Sequence, residues 1–470
     1  LSEIFYYPKL SMQTEIPDPQ RPATATPTES QLEYQTPGGI HAGGHDPYAA
    51  LRVPAYRRYT IGTTLSFIGQ QMQTTAVGWE VALRSGNHAA FALGMVGLVG
   101  AAPVILLALP AGHLADSMDR KRLTVFTLIL GALCSIGLAV LSFMHGPIIL
   151  MYLILLLAAT FSAIGGPARS SLVTQTVPLE LFSNATTWGS TTFQVASMGG
   201  PAVAGFIIAV ESVHIGHRIL PTLPLAYLID TACGLAFAVL LIATQLRPAE
   251  PRRNESASIK TLLAGIRFVH MNKIILATIT LDLFAVLLGG ATALLPIYAK
   301  DVLHAGAVGF GWMRAAPGIG AFVMALTVAH LPPMKHAGRN LLLAVFGFGL
   351  ATIIFGLSKS LPLSLAMLFL TGAFDNISVV VRHTLVQVLT PDSMRGRVSA
   401  VNNVFIGASN ELGGFESGLT AQWLGPIWSV VAGGIGTILV VMTVGIIWPQ
   451  VRRFGSLSDA KPIEETAISL

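Results

Sequence analysis

The chain has 470 residues, of which 53% are hydrophobic and only 11% charged. Soluble domains carry about 25% charged residues, so this balance excludes an ordinary soluble protein and points to one built for the bilayer. A formal net charge of +5 does not signal nucleic acid, because the cations are segregated along the chain as membrane topology requires.

Residues 1–50 are rich in Pro, Thr, Gln and Gly and hold no apolar run. Such a segment cannot bury enough apolar surface to fold, which predicts a disordered cytoplasmic tail with no secretory signal. The chain opens on Leu1, and Met12 is an alternative start. Twelve apolar runs follow, at about 56–83, 91–115, 123–144, 147–168, 184–210, 223–245, 273–299, 308–331, 340–357, 361–382, 398–424 and 427–449. Each is long enough to cross a bilayer core of about 30 Å as a helix. No alternating strand pattern accompanies them, which argues against a β-barrel.

A polar break at 246–258 divides the runs six and six. This predicts an N-terminal half over 51–245, a linker over 246–272, a C-terminal half over 273–450 and a cytoplasmic tail over 451–470. Within the linker, Ile259, Leu262, Leu263, Ile266 and Val269 recur at helical spacing, with Lys260 and Arg267 off the stripe. That pattern reads either as an amphipathic helix at the cytoplasmic interface or as a solvated linker helix.

With these spans, 23 of the 28 Lys and Arg fall on one side, among them Arg169 and Arg382. The other side takes only Arg84, Arg218, Lys300 and Lys359, while Arg314 lies within the membrane. The positive-inside rule then places both termini in the cytoplasm, which demands an even number of spans. Cys134 and Cys233 lie inside apolar runs and read as small hydrophobes rather than a disulfide or metal pair.

The first span is polar for its length: Gln70, Gln71, Gln73, Thr74 and Thr75, then Trp79 and Glu80. Amides and hydroxyls facing lipid are costly, so these face protein or a wet cavity. Substrate contact and hydrogen bonding between helices both satisfy them. Trp188, Asn402, Asn403 and Asn410 are further candidates for the cavity wall.

The halves are related. Arg169-x-x-Leu172-Val173 with Pro178 matches Arg382-x-x-Leu385-Val386 with Pro391 at an offset of 213, which also carries Gly200 onto Gly413 and Gly205 onto Gly418. Repeated halves around a midplane site are the build of many secondary transporters.

The most specific string is GHLADSMDRKR at 112–122. Gly112, Leu114, Ala115, Asp116, Arg120 and Lys121 resemble the cytoplasmic loop motif of the major facilitator superfamily, with Ser117 and Asp119 departing from it. The segments 281–304 and 382–418 look like the enterobactin exporter branch of that superfamily. The resemblance implies an all-α membrane fold of twelve helices in two pseudo-symmetric six-helix halves. It also implies that Gly112, Asp116, Arg120 and Lys121 act as a cytoplasmic gate. Gly200-Pro201-Ala202-Val203-Ala204-Gly205 partly matches a glycine–proline motif of the family's antiporters, and serves plain helix packing equally well.

In the implied arrangement the third helix of each three-helix unit lies outside. Asp282, Arg314, Asp375, Glu411 and Glu416 all fall on the remaining, cavity-facing spans. A charge at bilayer depth is expensive and marks a substrate or proton route. At 1.5 Å of rise per residue, Glu411, Arg314 and Glu416 lie roughly 20, 25 and 27 Å from the cytoplasmic ends, and Asp375 and Asp282 roughly 10 and 13 Å. This predicts Arg314 paired with Glu416 or Glu411, above an acidic pair of Asp282 and Asp375. A carboxylate that trades Arg314 for a proton as the halves rock would couple proton flow to transport, whereas a static ion pair would not. Asp230, on the sixth span, reads as an interfacial or packing residue.

Gln70, Gln73, Thr74, Trp188, Asn403 and Asn410 are the substrate-contact candidates, and amides with aromatics suit an amphipathic organic molecule better than a bare ion. No P-loop and no metal-ligand spacing is present, so neither cofactor nor metal is expected, and the chain is not read as an enzyme. The reading is a bacterial inner-membrane exporter of small organic molecules, of the siderophore or amphipathic drug class, driven by proton antiport. A monomer is the superfamily's default. An uptake symporter and a non-transporting sensor or scaffold of the same fold are the alternatives.

Overall fold

The computed structural model describes residues 46–210, 212–215, 218–248, 259–331 and 334–455. The predicted tails, but for their innermost residues, and the polar break lie largely outside these. After a one-turn helix at Ala49–Arg52, the helices in order are α1 (Pro54–Arg84), α2 (Ala89–Leu106), α3 (Ala108–Ser117), α4 (Arg120–Phe143), α5 (Ile148–Thr176) and α6 (Phe182–Ala209). A two-stranded antiparallel hairpin, β1 (Ser212–Ile215) and β2 (Arg218–Pro221), leads to α7 (Leu223–Ile242). Then come α8 (Ile259–Met271), α9 (Lys273–Leu288), α10 (Gly306–His330), α11 (Ala337–Leu357), α12 (Leu361–Leu389), α13 (Asp392–Leu424) and α14 (Pro426–Ile447).

Among the described residues, ten helices are long and apolar enough to cross a membrane. The two longest, α1 with 31 residues and α13 with 33, are not among the ten because they carry polar side chains along their length. Their polarity is affordable because both pack against several other helices. Several starts are written locally. Pro54 opens α1, where its missing N–H costs nothing. Asp119 caps α4 by accepting from the backbone N–H of Arg122 at 2.7 Å. Asn272 caps α9 by accepting from Ile274 and Ile275. Asp119 is also where the 112–122 string departs from the family motif, so the departure supplies a cap.

Helix pairing repeats along the chain. In the first group α1 packs on α6 and α7, α4 on α5 and α7, and α2 on α5. In the second, α9 packs on α13 and α14, α11 on α12 and α14, and α10 on α12. The main pairings that join the groups are α2 with α13 and α6 with α10. The repeat glycines do matching work. Gly200 lies against α1 at Ile68 and Gln71, and Gly413 lies against α9 at Val286 and Leu287. Gly205 meets Gly311 of α10, where a Cβ on either would sit 2.8 Å from the other's Cα. Gly418 meets Gly94 of α2, where a Cβ on Gly94 would sit 3.1 Å from the Gly418 Cα. Glycine here lets helices from different groups touch backbone to backbone, so these residues of the glycine–proline string are used in packing.

The helices outrun the apolar segments on which the spans were drawn. α5 continues to Thr176 and α12 to Leu389. Arg169 and Arg382, placed at the cytoplasmic ends of their spans by apolar content, therefore sit inside helices, and Arg382 is only 2% exposed. Both are accommodated because protein or cavity, rather than lipid, surrounds them. The linker stripe also divides. Phe268 and Val269 of α8 are buried, and Gly265 lies on α13 at Arg397 and Val401. Leu263 and Ile266 are exposed beside Arg267 and His270, so α8 is docked on protein by one face and open on the other.

Candidate functional site: a cavity between the two helix groups

A cavity of about 880 Å³ lies between the groups. α1, α5 and α6 line it on one side, and Ala321 of α10 with Asp375, Asn376 and Val379 of α12 on the other. Its lining residues on α1 and α6 sit near the starts of those helices, and those on α5 near its end. This is the side to which the positive-inside rule assigns the cytoplasm. The opposite side is closed by Trp79 of α1 stacked on Phe310 of α10 at 5.5 Å between ring centroids, and by the Gly205–Gly311 and Gly94–Gly418 contacts. The walls mix aromatic edges with hydroxyls and amides. Phe67 and Phe193 meet edge to face at 5.6 Å, a geometry that holds a planar apolar body while leaving polar groups reachable.

Asp375 borders this cavity and also a pocket of about 20 Å³. Asp282 stands on the wall of the same small pocket. The structure brings Asp282 and Asp375 to this one small pocket, and it also pairs Asp282 with Arg382 across α9 and α12. Both side chains are almost fully buried, 9% and 3% exposed. The sequence reading missed this because it had ended the tenth span at residue 382.

Glu411 of α13 reaches the other group. A Cβ on Gly100 of α2 would lie 2.6 Å from its Oε2, and a Cβ on Gly97 the same distance from its backbone oxygen. The carboxylate therefore occupies room that only glycine leaves. Arg314 of α10 interacts electrostatically with Glu411, and no ion pair within 4.0 Å joins Arg314 to a carboxylate among the described residues. Of the two partners predicted for Arg314, Glu411 is the one at hand. Glu416 instead takes a 3.4 Å hydrogen bond from the hydroxyl of Ser417.

Of the predicted substrate contacts, Gln70 lines the large cavity. Thr74 is exposed and turns its hydroxyl to the backbone of Gln70 at 2.8 Å. Gln73 is engaged between helices: its amide donates to Ser135 Oγ at 2.8 Å, and Ser135 donates to Asp230 at 2.6 Å. This chain ties α1, α4 and α7 and gives Asp230 its packing role. Trp188 is not among the residues lining the cavity, donating instead to the Pro47 carbonyl at 2.9 Å and lying 5.6 Å from the Tyr48 ring. Asn403 and Asn410 are exposed and outside the cavity lining, and Asn410 bonds back to Ile406 at 2.9 Å.

In the 112–122 string, Gly112 and Asp116 lie on α3, with Asp116 3.9 Å from Arg120 at the start of α4. Lys121 donates to the carbonyls of Ile242 and Thr244 at 3.0 and 2.7 Å, capping the end of α7. The string thus fastens α4 to α7 within the first group.

Two charged side chains take roles that the sequence reading did not assign them. Glu80, 4% exposed, pairs with Arg84 at 2.8 Å and accepts from the Tyr227 hydroxyl at 2.8 Å. Arg84 also donates to the Gly146 carbonyl. The i, i+4 spacing was the available signal. The second is Arg169, whose side chain lines the large cavity.

A family described as transmembrane secretion effector matches residues 45–465. Enterobactin exporter EntS of Escherichia coli O1:K1 / APEC and that of Shigella boydii serotype 18 are each 24% identical over 404 residues, spanning 85% of this chain and 93% of the relative. Among solved structures, a bacterial homologue of the human lysosomal transporter Spinster in an inward-facing, unoccupied conformation superposes with a TM-score of 0.65 at 15% identity, over 87% of this chain and 99% of that one. Nucleoside transporter NupG superposes with a TM-score of 0.64 at 13% identity, over 84% and 99%. A family match across nearly the whole chain, on a predominantly helical membrane fold with a cavity between two helix groups, makes this chain a membrane transporter of the transmembrane secretion effector family, within the major facilitator superfamily.

Proposed function

We propose that the chain exports small organic molecules of the siderophore or amphipathic drug class across the bacterial cytoplasmic membrane, by proton-coupled alternating access. In this reading α1, α2, α4–α7 and α9–α14 are the twelve spans, set in two six-helix halves with both termini cytoplasmic. The repeated pairings and repeat glycines support it. The observation that carries the function is the 880 Å³ cavity between the groups, with Asp375 in its wall. A cavity of that size takes a drug-sized molecule, and a carboxylate there can exchange a proton with whatever enters.

Glu411 is the second coupling group. Seated against Gly100 and facing Arg314, it rests at a contact that must change when the halves rock, so its environment differs between states. Asp282 with Arg382 and the small pocket beside Asp375 extend the acidic route, and Glu416 lies further along α13. Gln70 is one of the amides that meet substrate in this state. Gly112, Asp116, Arg120 and Lys121 tie helix ends together at the cytoplasmic face.

The test uses everted membrane vesicles with an acidic interior, followed by a pH-sensitive dye while siderophores and amphipathic drugs are added outside. Substrate-dependent collapse of the gradient is expected, lost in Asp375→Asn and Glu411→Gln, with protein levels unchanged. Collapse that survives in both variants removes these carboxylates from the coupling; no collapse with any compound removes export of these classes.

A further inference from the structure

Arg169 and Arg382 occupy matching positions in the repeat, and the two halves treat them differently. Asp282 neutralises Arg382. No Asp or Glu stands within ion-pair distance of Arg169 among the described residues. At the repeat offset the residue answering Asp282 is Gly69, which carries no charge. What α1 presents to the cavity beside Arg169 is neutral: Tyr59, Thr60 and Thr63, with Tyr59 donating its hydroxyl to the Arg169 carbonyl at 2.9 Å.

The cavity also gathers unused polar atoms. Among the described residues, Arg169 Nε and Asn376 Oδ1 are buried without a hydrogen-bond partner, and both residues line this one cavity. Buried polar groups are nearly always paired, and an uncompensated buried cation is the most expensive exception. Two such exceptions on opposite walls of one cavity describe a site whose partner is a ligand.

We propose that Arg169 anchors an acidic group, a carboxylate or sulfonate, on the transported molecule. Asn376 Oδ1 on the opposite wall accepts from a hydroxyl or amide elsewhere on the molecule. Phe67 and Phe193 hold an aromatic or aliphatic body. The substrate class is thus narrowed to acidic amphiphiles, bound with one charge paired in the first helix group and one neutral polar contact in the second. A charge-assisted pair in such a site discriminates strongly against an uncharged isostere, because the isostere leaves the guanidinium buried and unpaired.

This inference rests on the cavity being a substrate site, and its test is a binding measurement with no proton gradient. The probes are 1-hydroxy-2-naphthoate and its uncharged amide, 1-hydroxy-2-naphthamide, titrated against the purified full chain in detergent, with binding to empty micelles subtracted. The wild type is expected to bind the acid at least tenfold more tightly than the amide. Arg169→Gln should erase the difference, and Arg169→Lys should keep part of it. Thr63→Asp supplies Arg169 with the kind of counterion that Arg382 already has and should erase the preference in a protein whose buried cation is now paired. Equal binding of both probes by the wild type, or binding of neither, overturns the proposal, as does a preference that survives in both Arg169→Gln and Thr63→Asp. Acid-selective binding in a protein that moves no protons in vesicles would leave the anchor standing and remove only the coupling.

Discussion

Removing Arg382 alone should be among the most damaging single changes in the C-terminal group. Arg382→Met strands the Asp282 carboxylate at 9% side-chain exposure, with the small pocket beside it too tight to hydrate a charge fully. Breaking a buried ion pair from one side costs about 3–5 kcal/mol, because the remaining charge keeps its desolvation penalty and loses its partner. Replacing both members by apolar groups is close to neutral in other proteins. The double variant Asp282→Leu/Arg382→Met should therefore recover most of the stability that Arg382→Met loses. The assay is reversible unfolding in mixed micelles, run as a double-mutant cycle on the full chain. Coupling of about 2 kcal/mol or more between the two sites is expected, near the upper end for residues in contact. An Arg382→Met variant within about 1 kcal/mol of wild type, or a double variant as unstable as the sum of the singles, would refute the reasoning. If the pair also serves transport, the rescued double variant will fold and fail to couple.

Gly311→Val places side-chain atoms where the Gly205 backbone stands, since even a Cβ there would come within 2.8 Å of its Cα. The closed side of the cavity should then open, read as a longer distance between spin labels at the outer ends of α6 and α10; an unchanged distance would show that this contact does not hold that side shut. Gly100→Ala puts a methyl 2.6 Å from Glu411 Oε2 and should displace the carboxylate. Substrate-driven proton flux is expected to fall several-fold in folded protein, and wild-type flux would mean that the seat on α2 is irrelevant to coupling.

Much of this molecule is written in one dimension. Apolar runs of bilayer length, the segregation of Lys and Arg and the 112–122 string identify a helical membrane transporter, because the cost of burying polar backbone in lipid leaves the chain few other ways to cross. The repeat was legible too, and Gly200, Gly205, Gly413 and Gly418 turned out to sit at matching helix contacts. Asp119, a departure from the motif, turned out to cap a helix. What could not be read was partnership. Apolar content ended the tenth span at residue 382 because an arginine stood there, yet α12 runs on to Leu389 and the arginine is buried on Asp282, a hundred residues away. Gln73 and Gln70 are indistinguishable as members of one polar stretch; only the fold sends one to Ser135 between helices and the other into the cavity. Arg169 and Arg382 carry the same local sequence, and no local pattern says that one has a carboxylate and the other does not. Hydropathy and periodicity report the average environment of a segment, whereas an ion pair or a vacant cation depends on which side chains of distant helices meet at a particular depth. That is decided by packing, and packing is where the sequence by itself stops.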